Sequence, residues 1–311
     1  MREFELLRAV YRQNKSLPSF VTVPPGDDMA ELRLPAGADR LLVAVDQVIA
    51  GRHVRHDEDP KLIGRKAVAR NVSDIAAMAA EPLASVVACC LPRDWDEPRA
   101  LSLFAGLRES AAAWNCPLVG GDLALGGPGD PLTVSVTVLA TPRGRAITRR
   151  GSRDGDGVFV TGSLGGSLAP GGGGRHLTFE PRLPESHELL ATLGDRLHAM
   201  IDLSDGLGRD AGHLLEDPDA AGLAIELDAA ALPVHPGCDW RSALGDGEDY
   251  ELLFTAAGPV PARLGATPVA RVGSVRARRD GEPSLSLRLE GRLVDVSGLG
   301  WEHATSEGKS R

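Results

Sequence analysis

Lysine is scarce in this chain. Of 311 residues, 34 are Lys or Arg, and only Lys15, Lys61, Lys66 and Lys309 are lysines. Any mechanism that needs a dedicated lysine therefore has few candidates. Aromatic residues are also few, at 4%. Aliphatic side chains and alanine must supply most of the packing, and base stacking on single-stranded nucleic acid is disfavoured. The four cysteines, Cys89, Cys90, Cys116 and Cys238, include no C-x-x-C pair and read as reduced, buried thiols. The most apolar window, IAAMAAEPLASVVACCLP, is broken by Glu81-Pro82 and does not read as a membrane span. The amino-terminal MREFELLRAVYRQNK has no signal-peptide core, so a cytoplasmic location is expected. Gly308-Lys309-Ser310 has His303 where a phosphate loop requires glycine. Protein-kinase H-R-D, G-x-S-x-G and zinc-protease histidine spacings are missing too.

Hydrophobic content of 42%, with Gly 37 and Pro 22, suits an α/β protein with many turns and a sizeable core. The formal net charge is 34 − 43 = −9, which repels nucleic acid and anionic lipid and expects neither as a partner. Residues 3–13 read as a short amphipathic helix. Residues 41–46 read as a strand ending on Asp46. Residues 60–80 carry a helical stripe of Ile63, Ala67, Val68, Val72, Ile75 and Ala79, with Asp74 on its shoulder. LASVVACCL reads as a buried strand, PRALSLFAGLRESAAAWN as a helix, PLVGGD as strand then turn, and LTVSVTVLAT as a long strand. The polar, turn-rich TPRGRAITRRGSRDGDG places a domain boundary near 142, giving expected domains of 1–142 and 143–311. GGSLAPGGGGRH reads as a glycine loop, flexible on composition. Strands alternate with helices in both halves, which predicts layered α/β or α+β domains.

Acidic turns stand out: Gly26-Asp27-Asp28, Val45-Asp46, Asn71 to Asp74, Gly120-Gly121-Asp122, Ile201 to Gly206, and GDGEDYEL with Asp246, Glu248 and Asp249. Each alone reads as ordinary turn or capping chemistry. Together they gather carboxylates at strand ends, as oxygen ligands for Mg²⁺ would be gathered. In AMIDLSDGLGRDAGHLLED a short strand delivers Asp202, and Ser204 and Asp205 precede a helix. The N–H groups at that helix start either hold phosphate or are capped by Ser204 or Asp205. Gly206-x-Gly208-x-x-Ala211 imitates a dinucleotide fingerprint, but two acids at the turn would repel a pyrophosphate.

GDDMA at 26–30, IGRKAVARNVSDIAAMAAEP at 63–82, GGD at 120–122, GRAITRRGSRDGD at 144–156, IDLSDGL at 201–207, ALGDGEDYELLFT at 243–255 and GWEH at 300–303 cover almost the whole chain. In this order they resemble the thiamine-monophosphate kinases, of the AIR synthetase-like superfamily. The resemblance implies an amino-terminal α/β domain whose strands pair across a homodimer, a carboxy-terminal α/β domain, and ATP bound between them. It implies transfer of the γ-phosphoryl group of ATP onto thiamine monophosphate, with several Mg²⁺ ions. By match to the family, Asp28, Asp46, Asp74, Asp122 and Asp202 would ligate Mg²⁺, with Asp205 on a further ion; Asp46 and Asp205 are the expected catalytic residues. Gly121, Asp122, Arg149 and Ser204 would face ATP, and His53, Glu248 and Trp301 the thiamine phosphate. The chain departs from the family at Ala44-Val45, where hydroxyl residues usually stand, and at Leu123-Ala124, where threonines do. A helix after VTG is shortened, and Ala304 replaces a phenylalanine. These departures motivate an alternative, a nucleotide-binding paralogue with lost or altered phosphotransfer. Another ATP-dependent enzyme of the superfamily is a further one. The first cysteine, Cys89, lies inside an apolar strand and the chain ends EGKSR, which fits the cysteine-dependent members poorly.

Overall fold

Two β-sheets and five α-helices make up the described part of the computed structural model, residues 21–23, 30–33 and 40–302. The predicted helix at 3–13, Asp28 and Ala304 lie outside the described residues. The first sheet has the order β1-β2-β3-β6-β4-β5. Its strands are β1 (Val21–Val23), β2 (Ala30–Arg33), β3 (Arg40–Ile49), β4 (Ala80–Leu91), β5 (Leu118–Leu125) and β6 (Thr133–Pro142). All neighbours are antiparallel except β4 and β5.

Helix α1 (Pro60–Ala77) starts where Asp59 accepts a hydrogen bond from the Lys61 N–H at 2.9 Å and Pro60 opens the first turn. Five members of its predicted stripe, Ile63, Ala67, Val68, Val72 and Ile75, are buried against Leu42, Val48, Val134 and Val136 of the sheet; the sixth, Ala79, lies beyond the helix end at φ 49 and packs in another core. Helix α2 (Glu97–Ala113), capped by Asp96, packs beside it. The two helices approach through paired glycines. A Cβ on Gly64 would lie 2.4 Å from the Leu103 carbonyl oxygen, and one on Gly106 2.1 Å from that of Lys61.

The second sheet runs β14-β13-β9-β12-β7-β10-β8, with β11 on β12. It comprises β7 (Gly157–Thr161), β8 (Leu197–Asp202), β9 (Leu223–Asp228), β10 (Leu252–Ala256), β11 (Arg263–Leu264), β12 (Thr267–Ala277), β13 (Leu285–Leu289) and β14 (Arg292–Asp295). Strand alternation splits its side chains between two cores. Val158, Val160 and Leu253 pack with Leu207 and Ala211 of α4 (Leu207–His213) and with Ala243 and Leu244 of α5 (Trp240–Gly245). Phe159 and Phe254 stack with ring centroids 5.4 Å apart on the other face. There they meet Leu189 and Leu193 of α3 (Leu183–Leu193) and Ala76 at the end of α1. Helix α1 thus belongs to both layers, and the expected layered α/β architecture is present.

Two strands that carry candidate residues differ from expectation. Strand β3 does not end on Asp46 but runs on to Ile49, with Asp46 paired to Val136. The apolar alternation through Val48 extends it. Gly120-Gly121-Asp122 is not a turn but the middle of β5, paired in parallel with Val86, Val87 and Ala88. A Cβ on Gly121 would meet the Val87 carbonyl oxygen at 1.9 Å, so here glycine permits close strand approach.

Candidate functional site

Three polar side chains follow one another along α1 at helical spacing: Lys66, Arg70 and Ser73. Each reaches a different element. Lys66 is fully buried. Its ammonium donates to the His53 carbonyl oxygen at 2.9 Å, contacts His176 Nδ1 at 2.7 Å and pairs with Glu248. An ammonium has no lone pair, so His176 Nδ1 accepts and Nε2–H donates to the Gly172 carbonyl oxygen at 3.1 Å. Burial pushes the Lys66 pKa down against the pull of Glu248. Burial would raise Glu248, but the charges of Lys66 and then Arg70 outweigh it and hold its carboxyl at about 2.

Arg70 contacts Asp46 at 3.2 Å and donates to the Gln47 carbonyl oxygen at 2.7 Å. Asp46 has the same strand parity as Leu42, Ala44 and Val48, which places its carboxylate on the helix-covered face. Burial opposes the Arg70 charge, yet Asp46 and its other neighbours raise its pKa above the ordinary arginine value. Ser73 donates to Asp202 at 2.6 Å. Burial pushes Asp202 up to about 6; the Ser73 hydrogen bond opposes this and the charge of Asp46 adds to it.

The turn after β8 is held from two sides. Glu248 N–H donates to the Ser204 carbonyl oxygen and Tyr250 N–H to that of Leu203, both at 2.8 Å. Glu248 (φ 57) and Tyr250 (φ 51) both occupy the left-handed region, where non-glycine residues are uncommon. The start of α4 is not capped by Ser204 or Asp205; Gly206 occupies the cap without a side-chain hydrogen bond. Asp210, from within the helix, accepts from Asp205 N–H at 3.0 Å instead. Burial, with Asp205 and Asp202 nearby, raises the Asp210 carboxyl well above its usual range. Asp249 reaches the glycine loop, accepting from Gly165 N–H at 3.0 Å and from Arg175 at 2.6 Å.

These elements border a cavity lined by His53, Arg70, Ser204, Asp205, Glu248 and Trp301, among others. Five residues expected from the sequence at the ATP, metal or thiamine-phosphate sites converge here: His53, Ser204, Asp205, Glu248 and Trp301. His53 is held by the Ile49 N–H, which donates to its Nδ1 at 3.0 Å. Burial, with Arg70 next, lowers the imidazole to about 4, so it is neutral near pH 7. Trp301 is half-exposed, and its backbone N–H donates to the Asp205 carbonyl oxygen at 2.8 Å. Asp74 and Asp46 are charged neighbours of Arg70, and Arg149 of Asp202. A wider groove around His56, Trp95 and Arg99 contains none of the expected residues.

Gly121 and Asp122 are not brought to this cavity within one chain. The register places Asp122 opposite Ala88, Ala88 opposite Ser135, and Ser135 opposite Gln47. Asp122 therefore lies on the face opposite to Asp46, three strands and roughly 14 Å away. Among the described residues no group of three or more His, Cys, Asp or Glu is gathered as a metal cage. The donor chemistry nonetheless fits a hard cation. Asp46 and Asp202 act on each other as like charges, as do Asp202, Asp205 and Asp210, and a divalent ion would relieve both repulsions.

Sequence reasoning missed Lys66, Arg70, Tyr250 and Asp210. The available signal was the spacing of Lys66, Arg70 and Ser73-Asp74 inside an apolar helix. A second signal was rarity, since Tyr250 is one of two tyrosines.

A family model, AIR synthase related protein, N-terminal domain, matches residues 26–141. A thiamine-monophosphate kinase of Escherichia coli K12 is 33% identical over 97% of this chain and 98% of its own length. One from Rhodopirellula baltica is 34% identical over 86% of this chain and 87% of its own. A solved structure, AaThiL complexed with AMPPCP and TMP, superposes with a TM-score of 0.80 at 26% identity, over 97% of both chains.

Proposed function

The chain belongs to the thiamine-monophosphate kinase family, and from that premise we propose its reaction and the residues that carry it. It phosphorylates thiamine monophosphate at the expense of ATP. The bond between the γ-phosphorus of ATP and its bridging oxygen breaks. A new bond forms to a phosphate oxygen of thiamine monophosphate, giving thiamine diphosphate and ADP. The observation that carries this reading is the convergence of His53, Ser204, Asp205, Glu248 and Trp301 on one cavity.

Two anionic phosphates must meet in line, so the barrier is mainly one of position and charge. Trp301 offers a face for an aromatic ring, and neutral His53 and anionic Glu248 offer polar contacts beside it. Lys66 holds Glu248 ionised and fixed. Ser204 and Arg149 are assigned to ATP. Asp46, Asp74, Asp202 and Asp205 would hold Mg²⁺, with Asp28 from outside the described residues. Such ions, when bound, would neutralise phosphate charge and orient the leaving oxygen.

The chain divides near residue 142, after the last strand of the first sheet, into domains 1–142 and 143–311. Two copies associate through the first sheet. Val45 on its uncovered side, and Val119, Leu123 and Leu125 on the edge strand β5, leave more than half of their side-chain surface exposed. In such a dimer Gly121 and Asp122 complete their ATP and metal roles at the interface. No helix among the described residues is long and apolar enough to cross a membrane, and the site of action is the cytoplasm.

The test is direct. Purified protein incubated with ATP, Mg²⁺ and thiamine monophosphate should yield thiamine diphosphate and ADP in equal amounts. ATP binding without product would instead favour the paralogue, the reading that Ala44-Val45 and Leu123-Ala124 motivate.

A further inference from the structure

Two hydrogen-bonding groups at the cavity are buried and without partners: the Tyr250 hydroxyl and Arg70 Nε. Both residues line the cavity. Tyr250 is 2% exposed. Its ring is fixed by stacking on Phe179, with centroids 3.9 Å apart and planes 12° from parallel. Arg70 is anchored by Asp46 and the Gln47 carbonyl through its terminal nitrogens, which leaves Nε–H unused. Arg70 is also the charged group that acts most strongly on Tyr250. A buried donor without an acceptor is costly, and native structures retain few of them. Here two stand on rigid supports at one cavity, and the complement to both is an acceptor carried by a ligand. Burial keeps the phenol protonated far above neutral pH, so it remains a donor. Beside a guanidinium the acceptor with most to gain is an anionic oxygen. Of the nearby carboxylates, Glu248 is paired with Lys66 and Asp46 with Arg70; Asp246 accepts from Gly166 N–H at 2.9 Å, and Asp205, at the same cavity, is assigned to Mg²⁺ above.

We infer that Arg70 and Tyr250 bind the phosphate of the acceptor substrate, Nε–H and the phenolic O–H donating to its non-bridging oxygens, and that this pair selects a phosphate monoester over the free alcohol. The inference rests on the acceptor assignment above.

The test compares Tyr250→Phe and Arg70→Lys with the wild type. Lysine retains a cation for Asp46 but has no Nε–H. Dissociation constants for thiamine monophosphate, free thiamine and ATP are measured by calorimetry, and the melting temperature of the ligand-free protein alongside. Each variant should bind thiamine monophosphate about 10-fold or more weakly, as for loss of a hydrogen bond to a charged group. Binding of free thiamine and ATP should be unchanged. Tyr250→Phe should melt no lower than wild type, because it removes a hydroxyl that no group in the folded chain satisfies. A lower melting temperature with unchanged ligand binding would make the hydroxyl structural and overturn the inference. Weakened ATP binding with thiamine monophosphate unaffected would also overturn it. A wild type that binds thiamine monophosphate but forms no product would defeat the kinase reading, while the binding ratios would still decide the role of the pair.

Discussion

Glu248 and Glu251 are three residues apart, both largely buried and both paired with a cation, yet they are built differently. Glu251 accepts from Arg182 Nε and Nη2 at 2.6 Å each and from Thr161 Oγ1 at 2.7 Å. Arg182 continues to Thr267 at 3.2 Å, and Thr267 donates to Glu185 at 2.6 Å. None of these side chains has a buried polar atom without a partner. Around Glu248 the backbone is strained, the cation is a lone lysine, and Arg70 Nε and the Tyr250 hydroxyl nearby are unsatisfied. A closed network holds a fold together, whereas an open one at a cavity has capacity left for a ligand.

The sharpest way to break this comparison is Arg182→Met. It strands the Glu251 carboxylate, 3% exposed, without its two-toothed partner. Loss of one member of a buried pair costs about 3–5 kcal/mol. Denaturant unfolding should show that loss, while the folded fraction keeps its KM for thiamine monophosphate. A shift in KM without loss of stability would erase the distinction between the two carboxylates. Asp46→Asn should do the reverse. If Asp46 holds a catalytic ion, turnover falls by at least ~10²-fold, with a stability loss smaller than that of Arg182→Met because Asp46 is itself partly exposed. Near-normal turnover in a steady-state assay would remove Asp46 from the machinery. Lys66→Met should lie between. It takes from Glu248 a charged hydrogen bond worth about 1.5–3 kcal/mol, and the KM for thiamine monophosphate should rise about tenfold. A stability loss with no change in KM would make Lys66 a second Arg182.

Much of this molecule can be read from its sequence, in proportion to how local the determining physics is. Helix α1 was legible because an apolar stripe recurs at helical spacing from Ile63 to Ile75. The acids at 202 and 205 and Glu248 were legible from motif resemblance, and the cavity does gather Ser204, Asp205 and Glu248. Strand register was not legible. Two glycines made GGD look like a turn, and only pairing with β4 reveals that Asp122 faces away from Asp46. Lys66 is not legible as a site residue because its partners, His176 and Glu248, lie 110 and 182 positions away. Nothing local marks a lysine as buried beforehand. Tyr250 was hidden for a different reason, since its significance is a missing partner, visible only once every neighbour is in place.

The smallest effect is a pH dependence that separates the open network from the rest of the chain. The Glu248 carboxyl is held at about 2, below its ordinary 4.5. A depressed folded value contributes stability above the unfolded value and loses it as pH falls through the folded one. The advantage of wild type over Glu248→Gln should therefore shrink as pH is lowered from about 4.5 to about 2. The subtraction is needed because Asp249, raised to about 6 by burial, acts oppositely between its ordinary 3.8 and 6. His53, lowered from 6.5 to about 4, makes an earlier contribution with the same sign as Glu248, lost as pH falls from 6.5 to 4. It should be weaker than its shift suggests, because the side chain is only partly buried. Urea unfolding of wild type, Glu248→Gln and His53→Gln between pH 7 and 2.5 resolves the two windows. A constant gap between wild type and Glu248→Gln across the lower window would show that Lys66 does not hold Glu248 ionised. The open network would then be no more charged than its neutral isostere.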